Sequence, residues 1–285
     1  MNLIVNFTPT GMIPTKEMTP YVPITVNEII EDVHEAWEIG ITIVHVHARD
    51  EQTGEPTYKG EIYRRIIDGI RKFAPDLVIC ASLSGRTFHE FEKRIEALDA
   101  KPDMGSLTLS SVNFNQQASI NSPQMIQDLA QEMQRRCILP ELEAFDSGMI
   151  NYAKYLERKS LINPPHYFNL LLGNIACAQA NLLHAGMMIN DLPKWSYWSL
   201  AGIGDAQLKM NSIAIANGGG VRVGLEDNIW YDSARTRLAK NSDLIKRIHV
   251  LAEANERKIM PPKEFRLLLG LGRSHGPVGS DMIGW

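Results

Sequence analysis

Asn217-Gly218-Gly219-Gly220-Val221-Arg222-Val223-Gly224 is the richest glycine run in the chain, and a β-rich stretch follows it rather than leading into it. A dinucleotide-binding fingerprint needs the opposite order, with a strand, then glycines, then a helix. The phosphate loop that a doubly wound nucleotide-binding sheet would require is therefore absent at this point. Working outward, β-rich runs occur at 3–7, 41–47, 77–83, 104–109, 137–143, 166–172, 195–201 and 220–224. Amphipathic stretches fill the intervals at 28–38, 62–73, 88–98, 124–135, 149–157, 174–187, 205–216 and 233–256. Eight strand–helix units in succession predict parallel βαβ topology closed into an α/β (β/α)8 TIM barrel, with an open doubly wound sheet as the runner-up.

Local signals mark the helix ends. Thr25-Val-Asn-Glu28 reads as a capping box, and Gly40 should stop the helix it opens. Ser122-Pro123 puts a capping hydroxyl before a proline in the first helical position. The chain of 285 residues fits one barrel of about 250 residues plus an addition. Residues 1–257 are assigned to a single barrel domain, and 258–285 to a C-terminal extension free to pack on a neighbouring subunit.

Composition bounds the class. An apolar fraction of 44% and a charged fraction of 22% describe a globular chain. Twenty-nine Lys+Arg against thirty-three Asp+Glu leave a net charge of −4, without the basic excess a nucleic-acid partner calls for. Cys80, Cys137 and Cys177 are odd in number and far apart, which suits a reducing compartment. No apolar run approaches the roughly 20 residues that span a bilayer, and the N-terminus lacks the basic region of a signal peptide. A cytoplasmic protein without nucleic-acid or membrane partners is expected.

Chemistry in such a barrel gathers at the C-terminal ends of the strands. Ile41-Thr-Ile-Val-His45-Val-His47-Ala-Arg-Asp50 places two histidines two apart at a strand end, on one face. Paired imidazoles there suit Zn²⁺ or a similar divalent ion, or else hydrogen bonds in a polar barrel layer. After the eighth strand, Glu226 and Asp227 offer adjacent carboxylates, as a third ligand or as caps for the next helix. Cys80-Ala-Ser82-Leu-Ser84-Gly85-Arg86 could hold an oxyanion or cap a helix at Phe88. Ser106 and Thr108 end the fourth strand, and Glu141 and Glu143 face one side of the fifth, as partners for the histidines or as ordinary polar lining.

These segments resemble the β-keto acid cleavage enzymes, a family that includes 3-keto-5-aminohexanoate cleavage enzyme. VHVHARD, SLTLSSVNF, PELEAFDSGMI, Ala201-Gly-Ile-Gly204 and VRVGLEDN carry the likeness, which runs from Asn2 to about Glu256. The resemblance implies a zinc-dependent, homotetrameric barrel transferase that converts a β-keto acid and acetyl-CoA into a new acyl-CoA and acetoacetate. It implies His45, His47 and Glu226 as zinc ligands, Asp227 as general base, and Arg222 positioning that base and keeping it ionised. Ser82 matches the serine that binds the substrate carboxylate, and Ser106 stands where relatives have a threonine of similar role. Gly85 closes a departure, Ser82-Leu-Ser-Gly85 in place of S-T-G-G, so the backbone cradle differs. The aminohexanoate enzyme has a glutamate for the substrate ammonium where this chain has Ile13, which predicts a substrate without that charge. Arg86 is left between a second-carboxylate contact and a surface position. Two other readings compete: an amidohydrolase-like metal hydrolase, which also opens with H-x-H, and a non-catalytic ligand-binding barrel.

Overall fold

The computed structural model describes residues 1–272. Short runs of aliphatic and β-branched residues form β1 (Val5–Phe7), β2 (Ile43–Val46), β3 (Val78–Ala81) and β4 (Met104–Thr108). A small antiparallel hairpin follows, β5 (Val112–Asn113) with β6 (Ala118–Ser119). Then come β7 (Leu139–Ala144), β8 (His166–Leu172), β9 (Ser196–Gly202) and β10 (Gly220–Val223). Apart from the hairpin, the strands close a parallel barrel in the order β1-β10-β9-β8-β7-β4-β3-β2. The (β/α)8 expectation holds, and β1 bonds to both β10 and β2, so the last strand lies two places from the histidine strand.

Period-two alternation divides the strand residues between two environments. Val5, Phe7, Val44, Val46, Ile79, Leu107, Leu142, Phe168 and Val221 belong to the large outer core between strands and helices. The alternate positions face the bore. Ile4, Ile43, Val78, Cys80, Met104 and Tyr167 form an inner apolar cluster, completed by Met260, Phe265 and Leu269 from the chain's end. Leu3 ties down this end segment through its backbone, its N–H donating to the Lys258 carbonyl at 2.7 Å and its carbonyl accepting from the Met260 N–H at 2.8 Å. Helix α9 (Pro262–Leu268) thereby floors the barrel, with Phe265 edge-on to Tyr167 at 5.2 Å and Arg266 bound to Asp103 at 2.8 Å. The part of the expected extension up to Gly272 thus packs on its own barrel; the rest lies outside the described residues.

The local signals place the outer helices. Thr25 and Glu28 form the capping box of α1 (Val26–Ile39), and Gly40 ends it at φ 120°. Ser122 accepts from the Met125 N–H at the head of α4 (Pro123–Arg135). α2 (Gly60–Arg71), α5 (Ser147–Arg158) and α7 (Ala206–Ala216) fall within a few residues of expectation.

Three stretches differ. The helix expected at 88–98 is a short α3 (Phe91–Ile95) that tightens into a 3-10 turn over Glu96–Ala100. The stretch 174–187 becomes helical only at α6 (Leu182–Asp191), because Ala178 first returns its N–H to the Phe145 carbonyl at 2.9 Å. The stretch 233–256 starts at α8 (Asn241–Ala254). Before it, the Asp232 carboxylate accepts from the Thr236 and Arg237 N–H groups, and Arg235 takes φ 56°, a left-handed turn that cannot begin a helix. No helix among the described residues is long and apolar enough to cross a membrane.

Candidate active site

Inward-facing positions near the strand ends build the site. On β2 and just beyond it, His45 and His47 turn both Nε2 atoms to one point, 3.2 Å apart. Glu226, in the turn after β10, brings Oε1 to 3.1 Å from His47 Nε2. Its other oxygen, Oε2, is buried and finds no hydrogen-bond partner among the described residues. Two imidazole nitrogens and an orphaned carboxylate oxygen, close together in a buried pocket, fit a divalent cation of borderline softness with open positions left over.

Across the bore, Glu141 on β7 meets His45 Nδ1 at 2.5 Å, which settles one open sequence question. A buried carboxylate needs several donors. Glu141 has Asn6 Nδ2 at 2.7 Å and the Cys80 thiol at 3.2 Å besides the imidazole. Asn6 leans in turn on the Tyr167 hydroxyl, which contacts Ser199 at 2.8 Å. This polar layer, Asn6, Tyr167, Asn169 and Ser199, was not singled out in the sequence, although the same alternation places each of them inward. With Nδ1 bound to Glu141, His45 presents Nε2 to the pocket.

The electrostatics follow from burial and pairing. Burial opposes a charge on His45, but Glu141 and Glu226 outweigh it and hold its pKa at about 9. Burial dominates at His47 and draws it down to about 4, against the pull of Glu226. Burial would raise Glu141, yet His45 and Arg222 keep it at about 2. Glu226 lies well below the usual carboxylate range, chiefly because Arg222 and both histidines offset its burial.

Arg222 on β10 organises the acids. Its Nε meets Asp227 Oδ2 at 3.0 Å, Nη2 meets Glu226 Oε1 at 2.7 Å, and Nη1 meets Glu143 Oε1 at 3.2 Å. Burial pushes Asp227 up to about 6, and Arg222 opposes the rise, so the carboxylate stays mostly ionised at neutral pH.

A cavity of about 410 Å³ opens over this cluster. Ser82, Thr108, Ile13 and Arg86 line it together with the histidines, Glu226, Asp227 and Arg222. Ser82 lies at the end of β3, its backbone carbonyl accepting from Tyr63 at 3.1 Å. Thr108 gives its hydroxyl proton to Glu143 at 2.6 Å, so it faces the cavity as an acceptor. Two expected contacts do not reach it. Ser106 accepts from the Leu83 N–H at 2.9 Å below the mouth. Gly85 is pressed against the β5–β6 hairpin, where a β-carbon would fall 2.5 Å from the Ile120 carbonyl; its glycine serves close packing rather than a ligand cradle. Nor does the Ser82–Gly85 segment cap a helix, since α3 begins only at Phe91 without a side-chain cap. Arg49, unremarked in the sequence, is buried and ties the loop after β1 by bonds to the Gly11 and Pro14 carbonyls at 2.9 and 3.0 Å.

The fifth barrel strand ends in acids, and His166 sits at the start of β8 against Glu157 at 3.1 Å. Among the described residues, no histidine besides His45 and His47 lines the cavity.

The sequence profile of the beta-keto acid cleavage enzymes matches residues 2–271. A 3-keto-5-aminohexanoate cleavage enzyme from Fusobacterium nucleatum is 35% identical over 94% of this chain and 98% of its own length. A 3-oxoadipate:acetyl-CoA acetyltransferase from Cupriavidus necator is 34% identical over 94% of both. A 3-dehydrocarnitine:acetyl-CoA trimethylamine transferase from Rhizobium meliloti is 31% identical over 92% of this chain and 94% of that one. Among solved structures, apo ObcA shares the fold with a TM-score of 0.78 at 21% identity, covering 89% of this chain and 66% of that one.

Proposed function

This chain belongs to the β-keto acid cleavage enzyme family, and from that premise we propose that it exchanges acyl groups between a β-keto acid and acetyl-CoA. The overall reaction is R–CO–CH2–COO⁻ + CH3–CO–SCoA → R–CO–SCoA + CH3–CO–CH2–COO⁻. The observation that carries this reading is the buried convergence of His45, His47 and Glu226 beside the Asp227–Arg222 pair.

His45, His47 and Glu226 would hold Zn²⁺. A zinc ion there supplies Lewis-acid stabilisation for the enolate of the β-keto acid. Asp227 removes a proton from C2. Its carboxylate is held at both oxygens by the Arg222 guanidinium, so it keeps one orientation, and a pKa of about 6 lets it both take and return a proton near neutral pH. The carbanion attacks the thioester carbonyl of acetyl-CoA. The CoA thiolate this expels then attacks the R–CO carbonyl, the C–C bond to R–CO breaks to give R–CO–SCoA, and the acetoacetate carbanion takes its proton back from Asp227. Ser82, which lines the cavity, would donate to the substrate carboxylate. Ile13 lines the same cavity and cannot pair with an ammonium, which favours substrates without a charged amine.

Exposed Leu182, Leu183 and Met187 on α6 support association of several copies, as the family's homotetramer would require. Light scattering on the purified protein reads the copy number.

The test is a panel of β-keto acids with acetyl-CoA, in which mass spectrometry follows acetoacetate and the new acyl-CoA. Acetoacetate that requires acetyl-CoA and appears with a matching acyl-CoA is the expected result. CoA-independent consumption would instead favour a hydrolase.

A further inference from the structure

Arg222 and Arg86 both line the cavity, and their surroundings are opposite. Every nitrogen of Arg222 is engaged by Glu143, Glu226 or Asp227. Arg86 has no acid within ion-pair reach and no side-chain hydrogen bond among the described residues. Its guanidinium instead lies over the Phe114 ring, 3.7 Å from the centroid. Its backbone is held on both sides, its N–H by Ser84 Oγ at 3.3 Å and its carbonyl by Gln117 Nε2 at 2.5 Å. Beneath it, Arg94 locks the same loop to the hairpin through the Leu83 carbonyl and Asn121.

A half-buried guanidinium without an anion is costly, and stacking on a ring offsets only part of that cost. Stacking does fix the plane, leaving a rigid fork of N–H donors at the edge, a geometry that matches a carboxylate. From the loop after β1, Met12 and Ile13 line the cavity, so among the described residues that loop brings no acid into it to compete for this cation.

We propose that Arg86, stacked on Phe114, is a specificity residue that binds a carboxylate at the far end of the substrate, so that the enzyme acts on β-keto dicarboxylates. This rests on the reading of the site as a β-keto acid cleavage centre. The acyl group passed to CoA then carries a free carboxylate, ⁻OOC–(CH2)n–CO–SCoA, with acetoacetate as the other product.

The test compares 3-oxoadipate with 3-oxohexanoate, which has the same six-carbon chain ending in a methyl group. The wild-type enzyme should prefer the diacid. In Arg86→Gln the ratio of kcat/KM for diacid over monoacid should fall about 10²-fold. Arg86→Lys should keep part of the preference, because the charge stays and the fork is lost. Phe114→Leu should lower the ratio less than Arg86→Gln does, since it loosens the guanidinium without removing it.

Three results would overturn the inference. One is a wild-type enzyme that turns over 3-oxohexanoate at least as well as the diacid; the cleavage reading would then stand without it. Another is equal loss on both acids in Arg86→Gln and Arg86→Lys. The third is a rise in KM for acetyl-CoA with the ratio unchanged, which would assign Arg86 to a CoA phosphate. No acetoacetate from either acid with wild-type enzyme would remove both the cleavage reading and this one.

Discussion

Gly11 lies so close to Glu226 that a β-carbon on it would fall 2.4 Å from Glu226 Cγ, and its own backbone stands at φ 67°. Both facts require glycine here. In Gly11→Ala the strained backbone costs about 1–3 kcal/mol, and the methyl group must push the Glu226 side chain aside. The expected outcome is a folded protein that binds zinc more weakly and turns over more slowly. Zinc content per chain, alongside circular dichroism, reads it; full zinc content at wild-type affinity would mean the loop relaxes without moving Glu226.

Asp227→Asn keeps the size of the side chain and one acceptor for Arg222 Nε but cannot take a proton. It should retain zinc and lose turnover by at least about 10²-fold. His45→Ala should lose both. Metal analysis and acetoacetate release on the same samples separate the two cases, and full activity in Asp227→Asn would exclude it as the base.

Glu141→Gln keeps one accepting oxygen for Asn6, turns an amide NH2 toward Cys80 and His45 Nδ1, and removes the charge behind His45. Weakening of zinc affinity by about 10–100-fold is expected, measured by competition with a chelating dye. Unchanged affinity would make Glu141 a packing residue only.

Asp32 on α1 supplies a pH effect remote from the cavity. Burial, aided by nearby Glu35, raises its pKa from 3.8 to about 7, although Asn241 donates to it at 2.6 Å and Lys16 also favours its charge. A raised folded pKa means the folded state holds this proton more tightly than the unfolded chain. Its contribution is therefore most favourable below the unfolded value and declines as pH rises to about 7. Asp32→Asn should flatten that decline and raise stability at pH 8 by about 1–2 kcal/mol. Urea melts at pH 5 and pH 8 test this; a variant that loses stability equally at both would show the Asn241 contact to matter more than the charge.

The barrel and most helix ends were legible because their signals are local. The Thr25–Glu28 box and the Ser122–Pro123 start depend on neighbours within four residues. The histidine pair was legible for the same reason, as spacing on one strand. Glu141 was visible as an inward acid, but its partner was not, because β7 meets β2 across the bore and barrel stagger decides which side chains touch. Gly85 misled because a glycine beside a ligand loop and a glycine under a packed hairpin look alike in sequence. The late start of α8 depends on Asp232 capturing two N–H groups, a turn that helical periodicity conceals.

The floor built by Met260, Phe265 and α9 makes the bore a blind alley. Above that floor, the cavity over His45 opens at a rim where Ile13, Arg86 and the β5–β6 hairpin line it. Traffic through that rim is shared, so a molecule lingering there obstructs both the next arrival and the departure of what was made before it.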